Sequence, residues 1–189
     1  FRYCEIEKYD ESQPPVSVVR EVVHYPFDET ASSFRSSDDI LNQVWKLCKY
    51  SIRAASFAGI YVDGDRERIP YEADALINQL CHYGVDREYS MARRSYEYLL
   101  QHPTWPTEWI LQAVLIAWQD YLYTGDSRSL KAGYEQLKPR LLLSLREKNG
   151  LISTSTGLQT PEFISSIRMN GPIRDIVDWP HTKPDSKLW

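Results

Sequence analysis

Positive charge is short in this sequence: 22 Lys and Arg stand against 26 Asp and Glu, a net charge of −4 over 189 residues. No basic stripe exists to neutralise phosphates, which excludes a general polyanion or nucleic-acid binder. Long apolar runs are missing too. Nothing approaches the ~20 residues of a membrane span, so no membrane partner is expected. Cysteine is sparse and scattered: Cys4, Cys48 and Cys81 are odd in number and lack metal-ligand spacing, which argues against a disulfide framework or a zinc centre. No cofactor or metal is expected. The four histidines, His24, His82, His102 and His181, show no paired pattern, and each reads as a surface or packing residue rather than a catalyst. An initiator Met and a signal peptide are absent, and Phe1-Arg2-Tyr3 reads as a cut or processed start.

What is present is a folded-protein balance, 42 % apolar and 25 % charged, in a length that suits one ordinary domain. Aromatics reach 13 %, with 6 Trp and 13 Tyr, enough to fill a core and also line a groove that holds sugars or bases. Residues 1–7 alternate as a strand, Pro14-Pro15 closes a polar linker, and Val16–Val23 reads as a second strand. From Ser37 the period turns helical. Ser37 can cap a first helix whose apolar stripe is Ile40, Leu41, Val44, Leu47, Cys48 and Ile52, ending near Ser56. Four more helices are predicted: 71–83 stopped by Gly84, 86–100, 107–123 ended by Gly125, and 127–147 with Pro139 as a possible kink. Residues 150–189 show no clear period. Trp45 and Trp118, at helical spacing, read as core. Short turns between helices give antiparallel hairpins, and no βαβ alternation or repeat consensus appears.

The charge is uneven. Residues 61–75 (YVDGDRERIPYEADA) hold Asp63, Asp65, Glu67, Glu72 and Asp74 with Arg66 and Arg68, a balance of −3 out of the chain's −4. Crowded carboxylates repel, which raises at least one pKa, while a neighbouring guanidinium keeps others ionised and oriented. A protonated carboxylic acid beside ionised ones is what glycoside hydrolysis needs. A solvated, locally ion-paired cap before a helix explains the same residues. Magnesium on Asp-x-Asp is a third reading, opposed by the two arginines.

The run Asp63-Gly64-Asp65-Arg66-Glu67-Arg68-Ile69-Pro70-Tyr71-Glu72-Ala73-Asp74-Ala75 resembles the catalytic motif of the α-L-rhamnosidases of glycoside hydrolase family 78, roughly D-(x)-R-x-E-R-x-G-W-x-G-D-A. Glu67, Arg68, Asp74 and Ala75 match in register. Residues 1–7 resemble the last strand of the β-sandwich before that family's catalytic domain. Phe34–Ser37 with Ile40–Trp45, Trp105–Trp109, Tyr123–Asp126 and Asp178-Trp179 resemble its flanking segments.

The resemblance implies residues 1–33 as the end of an upstream sandwich strand plus linker, and 34–189 as the N-terminal part of an (α/α)6 barrel. It implies inverting release of terminal α-L-rhamnose from glycans or glycosides, with a rhamnose-containing carbohydrate as partner and an exported, periplasmic or secreted location. Glu67 takes the general-acid position. Asp63 and Asp74 hold sugar hydroxyls, Arg66 or Arg68 stands beside them, and Tyr71 replaces the family's Trp against the ring. Trp105, Trp109, Asp178 and Trp179 complete the binding set. The family's glycines are Pro70 and Ala73 here. The first Asp stands one residue closer to Glu67, and Asp65 occupies the arginine's place, which makes Asp65 a binding candidate as well.

In the family the general base is a Glu on a much later helix. Inversion needs that second carboxylate about 6.5–9.5 Å from the acid. The isolated chain is therefore expected to lack normal turnover, and its uncovered helix faces are expected to self-associate. The competing classes are a helical-hairpin protein-binding module and another (α/α)6 carbohydrate enzyme, such as an unsaturated glucuronyl hydrolase or a lyase.

Overall fold

The computed structural model describes residues 16–56, 59–64 and 67–176, together with 3–7, 10, 12 and 14. Among these, six α-helices and one 3-10 turn make up the regular structure: α1 Asp39–Ala55, α2 Glu72–Val85, α3 Ser90–Gln101, α4 Thr107–Thr124, α5 Arg128–Arg140, the 3-10 turn Leu143–Leu145, and α6 Pro161–Ser166. None of the helices is long and apolar enough to cross a membrane. Consecutive helices pack on one another. In addition α2 lies against α4 and α3 against α5, which makes a double layer of helices.

Local chemistry sets the helix ends. Asp38, not Ser37, caps α1, its carboxylate accepting the Ile40 N–H at 2.8 Å. Gly84 does not stop α2. The helix runs on to Val85, and Asp86 leaves it in extended backbone. Asp86 likewise does not open α3, which starts four residues later where the Glu88 carboxylate accepts the N–H groups of Ser90 and Met91. Gly125 ends α4 with φ 66°, the left-handed position that favours glycine. Pro139 does more than kink α5. It lacks the N–H for the next rung, and the helix ends at Arg140 before Leu142 turns at φ 53°. The helix α6 lies in a stretch read as aperiodic. Thr160 caps it and Pro161 occupies its first turn, a pairing suited to a helix start.

Among the described residues two clusters form the core. Tyr61, Ala75, Tyr83, Met91, Tyr96, Leu99, Ala113, Ile116 and Leu137 join α2, α3, α4 and α5. Ile110, Leu142, Leu145, Phe163, Ile167 and Ile173 pack the far side of α4 against the segment after α5. Helix α1 departs from its sequence reading. Of its apolar stripe only Ile52 is buried. Ile40, Leu41, Val44 and Leu47 are exposed, Ile40 at 71 %, and Cys48 is exposed as well. Lys49 is buried instead, its ammonium donating to the carbonyls of Glu29 and Ser32. An amphipathic stripe is buried only where a neighbour meets it, and among the described helices α1 packs chiefly on α2, with the segment 29–36 covering the side that carries Lys49 and Trp45. Trp118 is exposed rather than core, and Trp45 is half-buried beside Phe34 at 5.5 Å. The described parts of 1–7 and 16–23 carry no strand. An alternating sequence becomes a strand only when it finds a sheet edge.

Candidate active site

The acidic segment crosses from α1 to the N-terminus of α2. Its loop is closed by the Asp63 N–H donating to the Ile69 carbonyl at 2.9 Å, and Arg68 turns through φ 55°. Because α2 begins only at Glu72, Glu67 and Asp74 do not share a helix, although they stand seven apart. Asp65 and Arg66 lie outside the described residues, as do Asp178 and Trp179.

The remaining acids divide by environment. Asp74 is half-buried in the first turn of α2. Burial raises its proton affinity above the ordinary carboxylate value, and the charges of Asp63 and Glu67 raise it further. Those three carboxylates therefore form one electrostatic group. Asp74 also lines a cleft of about 390 Å³ with Tyr50, Ile52, Val62, Gly64 and Asn78. Asp63 is half-buried, and Glu67 and Arg68 are exposed. Glu72 points elsewhere. It is 0 % exposed and accepts the Thr104 N–H at 3.1 Å and the Thr104 hydroxyl, with the Arg140 guanidinium 3.8 Å away. Burial raises its proton affinity, against the pull of Thr104 and Arg140.

The turn 102–106 brings aromatic residues to the same end of the molecule. Tyr71 meets Trp109 edge-on, ring centres 5.1 Å apart. Trp105 carries the Arg174 guanidinium over its ring at 4.3 Å, and the Arg174 carbonyl accepts the Thr107 N–H. Glu108 accepts the Ile176 N–H, which ties the segment before Asp178 to this turn. Trp105 lines a separate cleft of about 460 Å³, with His102, Arg168 and Asn170, that shares no lining residue with the Asp74 cleft. Tyr71 and Trp109 are thus brought together, while Trp105 faces another hollow.

One histidine does pair. The Tyr61 hydroxyl lies 2.7 Å from His82 Nδ1, His82 Nε2 lies 3.2 Å from Asp86, and Phe27 stacks flat on the imidazole. Burial pushes the Tyr61 phenol far above its ordinary value, so it stays protonated and shares a hydrogen bond with Nδ1, while Nε2 faces the Asp86 carboxylate. This Tyr–His pair, which the sequence spacing did not show, is sealed in the core, with Tyr61 at 1 % and His82 at 0 % exposure. It can brace the fold but cannot abstract a proton from a substrate. Nothing in the sequence pattern marks Glu72, Thr104, Asn78 or Tyr50 as neighbours of this site. Glu72 lies inside the motif, but an acid in a first helical turn reads equally as a cap.

A helical-hairpin scaffold bearing clustered carboxylates and an aromatic pair at one end has the parts of a glycosidase. The family model described as the bacterial alpha-L-rhamnosidase 6 hairpin glycosidase domain matches residues 29–156, more than half of the chain. The chain belongs to that family. No curated protein and no solved structure matches it.

Proposed function

We propose that this chain carries the acid side of a site that releases terminal α-L-rhamnose with inversion. The observation that supports this most is that Asp74, which lines a cleft and feels the charges of Asp63 and Glu67, lies in the first turn of α2 directly after Tyr71, the ring partner of Trp109. Glu67, the most exposed of the three, gives its proton to the glycosidic oxygen as that bond breaks. Asp63 and Asp74 accept hydrogen bonds from ring hydroxyls, and their negative field favours the positive charge that grows at the anomeric carbon. Tyr71 and Trp109 supply an apolar wall for the ring. The incoming water is activated by a base that the family resemblance places on a later helix of the barrel. The 189-residue polypeptide alone is therefore expected to give little turnover.

The test uses a polypeptide that also includes that base. Glu67→Gln is expected to lower hydrolysis of an alkyl α-L-rhamnoside by about 10²–10⁴-fold. The loss is expected to shrink for a nitrophenyl rhamnoside, whose leaving group needs no protonation. Full activity of Glu67→Gln on the alkyl substrate, or robust turnover of an aryl rhamnoside by the 189-residue chain alone, contradicts this reading.

A further inference from the structure

Glu72 sits between two residues of the proposed sugar site, Tyr71 and Asp74, yet its carboxylate points into the protein. A fully buried carboxylate is costly to hold, and it survives only where other groups replace its lost water. Here the replacements come from one place. Thr104 supplies both its backbone N–H and its hydroxyl, and Thr104 immediately precedes Trp105 in the turn that leads to Trp109. Behind the pair, Arg140 stands 3.8 Å from the carboxylate and donates to the Leu100 carbonyl at 2.7 Å in the last turn of α3. Arg140 is 1 % exposed and Glu72 0 %, so both charged groups are closed to solvent, while Thr104 is half-buried. The N-terminus of α2, the end of α3, the aromatic turn and the end of α5 thus meet at a single carboxylate.

We infer that Glu72 is a positioning residue: through Thr104 it latches the aromatic turn to the acidic segment, and so holds Trp109 against Tyr71 beside the carboxylate group. The inference rests on the sugar-binding reading above for its purpose, but the latch itself is a claim about geometry. Glu72 touches no substrate. Its effect is carried by the ring pair one residue before it and by the turn it grips.

The experiment compares the full 189-residue chain with Thr104→Val and Thr104→Ser. Valine keeps the shape and the backbone N–H but removes the hydroxyl, while serine restores it. The indole N–H signal of Trp109, assigned with Trp109→Phe, reports the aromatic turn by NMR. Calorimetric titration with L-rhamnose reports the site, and far-UV circular dichroism reports the fold. With the helical signal unchanged, Thr104→Val is expected to shift or broaden the Trp109 signal and weaken rhamnose binding by about 3- to 10-fold, the loss of one hydrogen bond's ordering. Thr104→Ser is expected to return both to the parent values. Glu72→Gln is expected to move the same Trp109 signal, and serves should the valine variant not fold. A Trp109 signal unmoved in folded variants overturns the latch. If the parent chain itself binds no L-rhamnose, the sugar reading fails, and the Trp109 signal still decides the latch.

Discussion

Asp74 shows how position decides the behaviour of a residue whose neighbours in sequence look chemically alike. Asp63, Glu67, Glu72 and Asp74 read as one acidic run, but in the fold Glu72 is fully buried, whereas Asp74 is half-buried and feels the charges of Asp63 and Glu67. Its folded-state proton affinity is raised, so the folded state holds this proton more tightly than the unfolded chain does. The stabilisation is fully present below the ordinary carboxylate value of 3.8 and is lost as pH rises through the raised folded value. Asp74→Asn removes that loss. It is expected to raise the melting temperature near neutral pH and to change it little below pH 3.8. An equal or lower melting temperature at neutral pH contradicts the assignment. The motif itself was legible in sequence, because Glu67, Arg68 and Asp74 keep a register that needs no folding to see. The inward turn of Glu72 was not, since it depends on Thr104 and Arg140, 32 and 68 positions away.

Between elements, the approach of α5 to α3 is closer than a side chain allows. A Cβ on Gly133 would stand 2.0 Å from the Tyr96 hydroxyl and 2.7 Å from Leu100 Cδ1. Replacing glycine by alanine inside a helix normally gains about 1 kcal/mol of helix propensity. Overpacking a core costs about 1–3 kcal/mol, and a contact this short belongs at the upper end. Gly133→Ala is therefore expected to lower the denaturant midpoint. Arg140 makes a second prediction. Removing one partner of a buried ion pair costs about 3–5 kcal/mol, because the other charge stays buried. Arg140 Nε and Nη1 have no hydrogen-bond partner among the described residues, and losing those two idle donors recovers part of that cost. Arg140→Met is expected to destabilise by about 3 kcal/mol, measured by urea unfolding. An unchanged midpoint means that Glu72 is held by Thr104 alone. The helices were readable from period and turn chemistry, α6 excepted. The starts of α1 and α3 shifted where Asp38 and Glu88 offered a competing acceptor, and α5 ended early at its proline.

At the scale of the whole molecule, the exposed stripe Ile40, Leu41, Val44 and Leu47 departs from what an isolated fold prefers. Its periodicity is that of a helix meant to be covered. Self-association through this face is the expected outcome for the chain on its own. Sedimentation velocity is expected to show species larger than monomer that Val44→Lys with Leu47→Lys dissociates. A parent chain that stays monomeric at high concentration removes the prediction.

The number and order of the five long helices, the special character of residues 61–75 and the family they belong to were all present in the sequence. Each is written in local spacing: three- and four-residue apolar steps, Gly125 past a helix end, a fixed interval between Glu67 and Asp74. Which face of α1 is covered, which acid turns inward, that Tyr61 and His82 pair, and that Trp109 meets Tyr71 while Trp105 lines a cleft of its own were decided by tertiary structure alone. Burial, desolvation and pairing depend on what another element brings to the same place, and no local pattern records that.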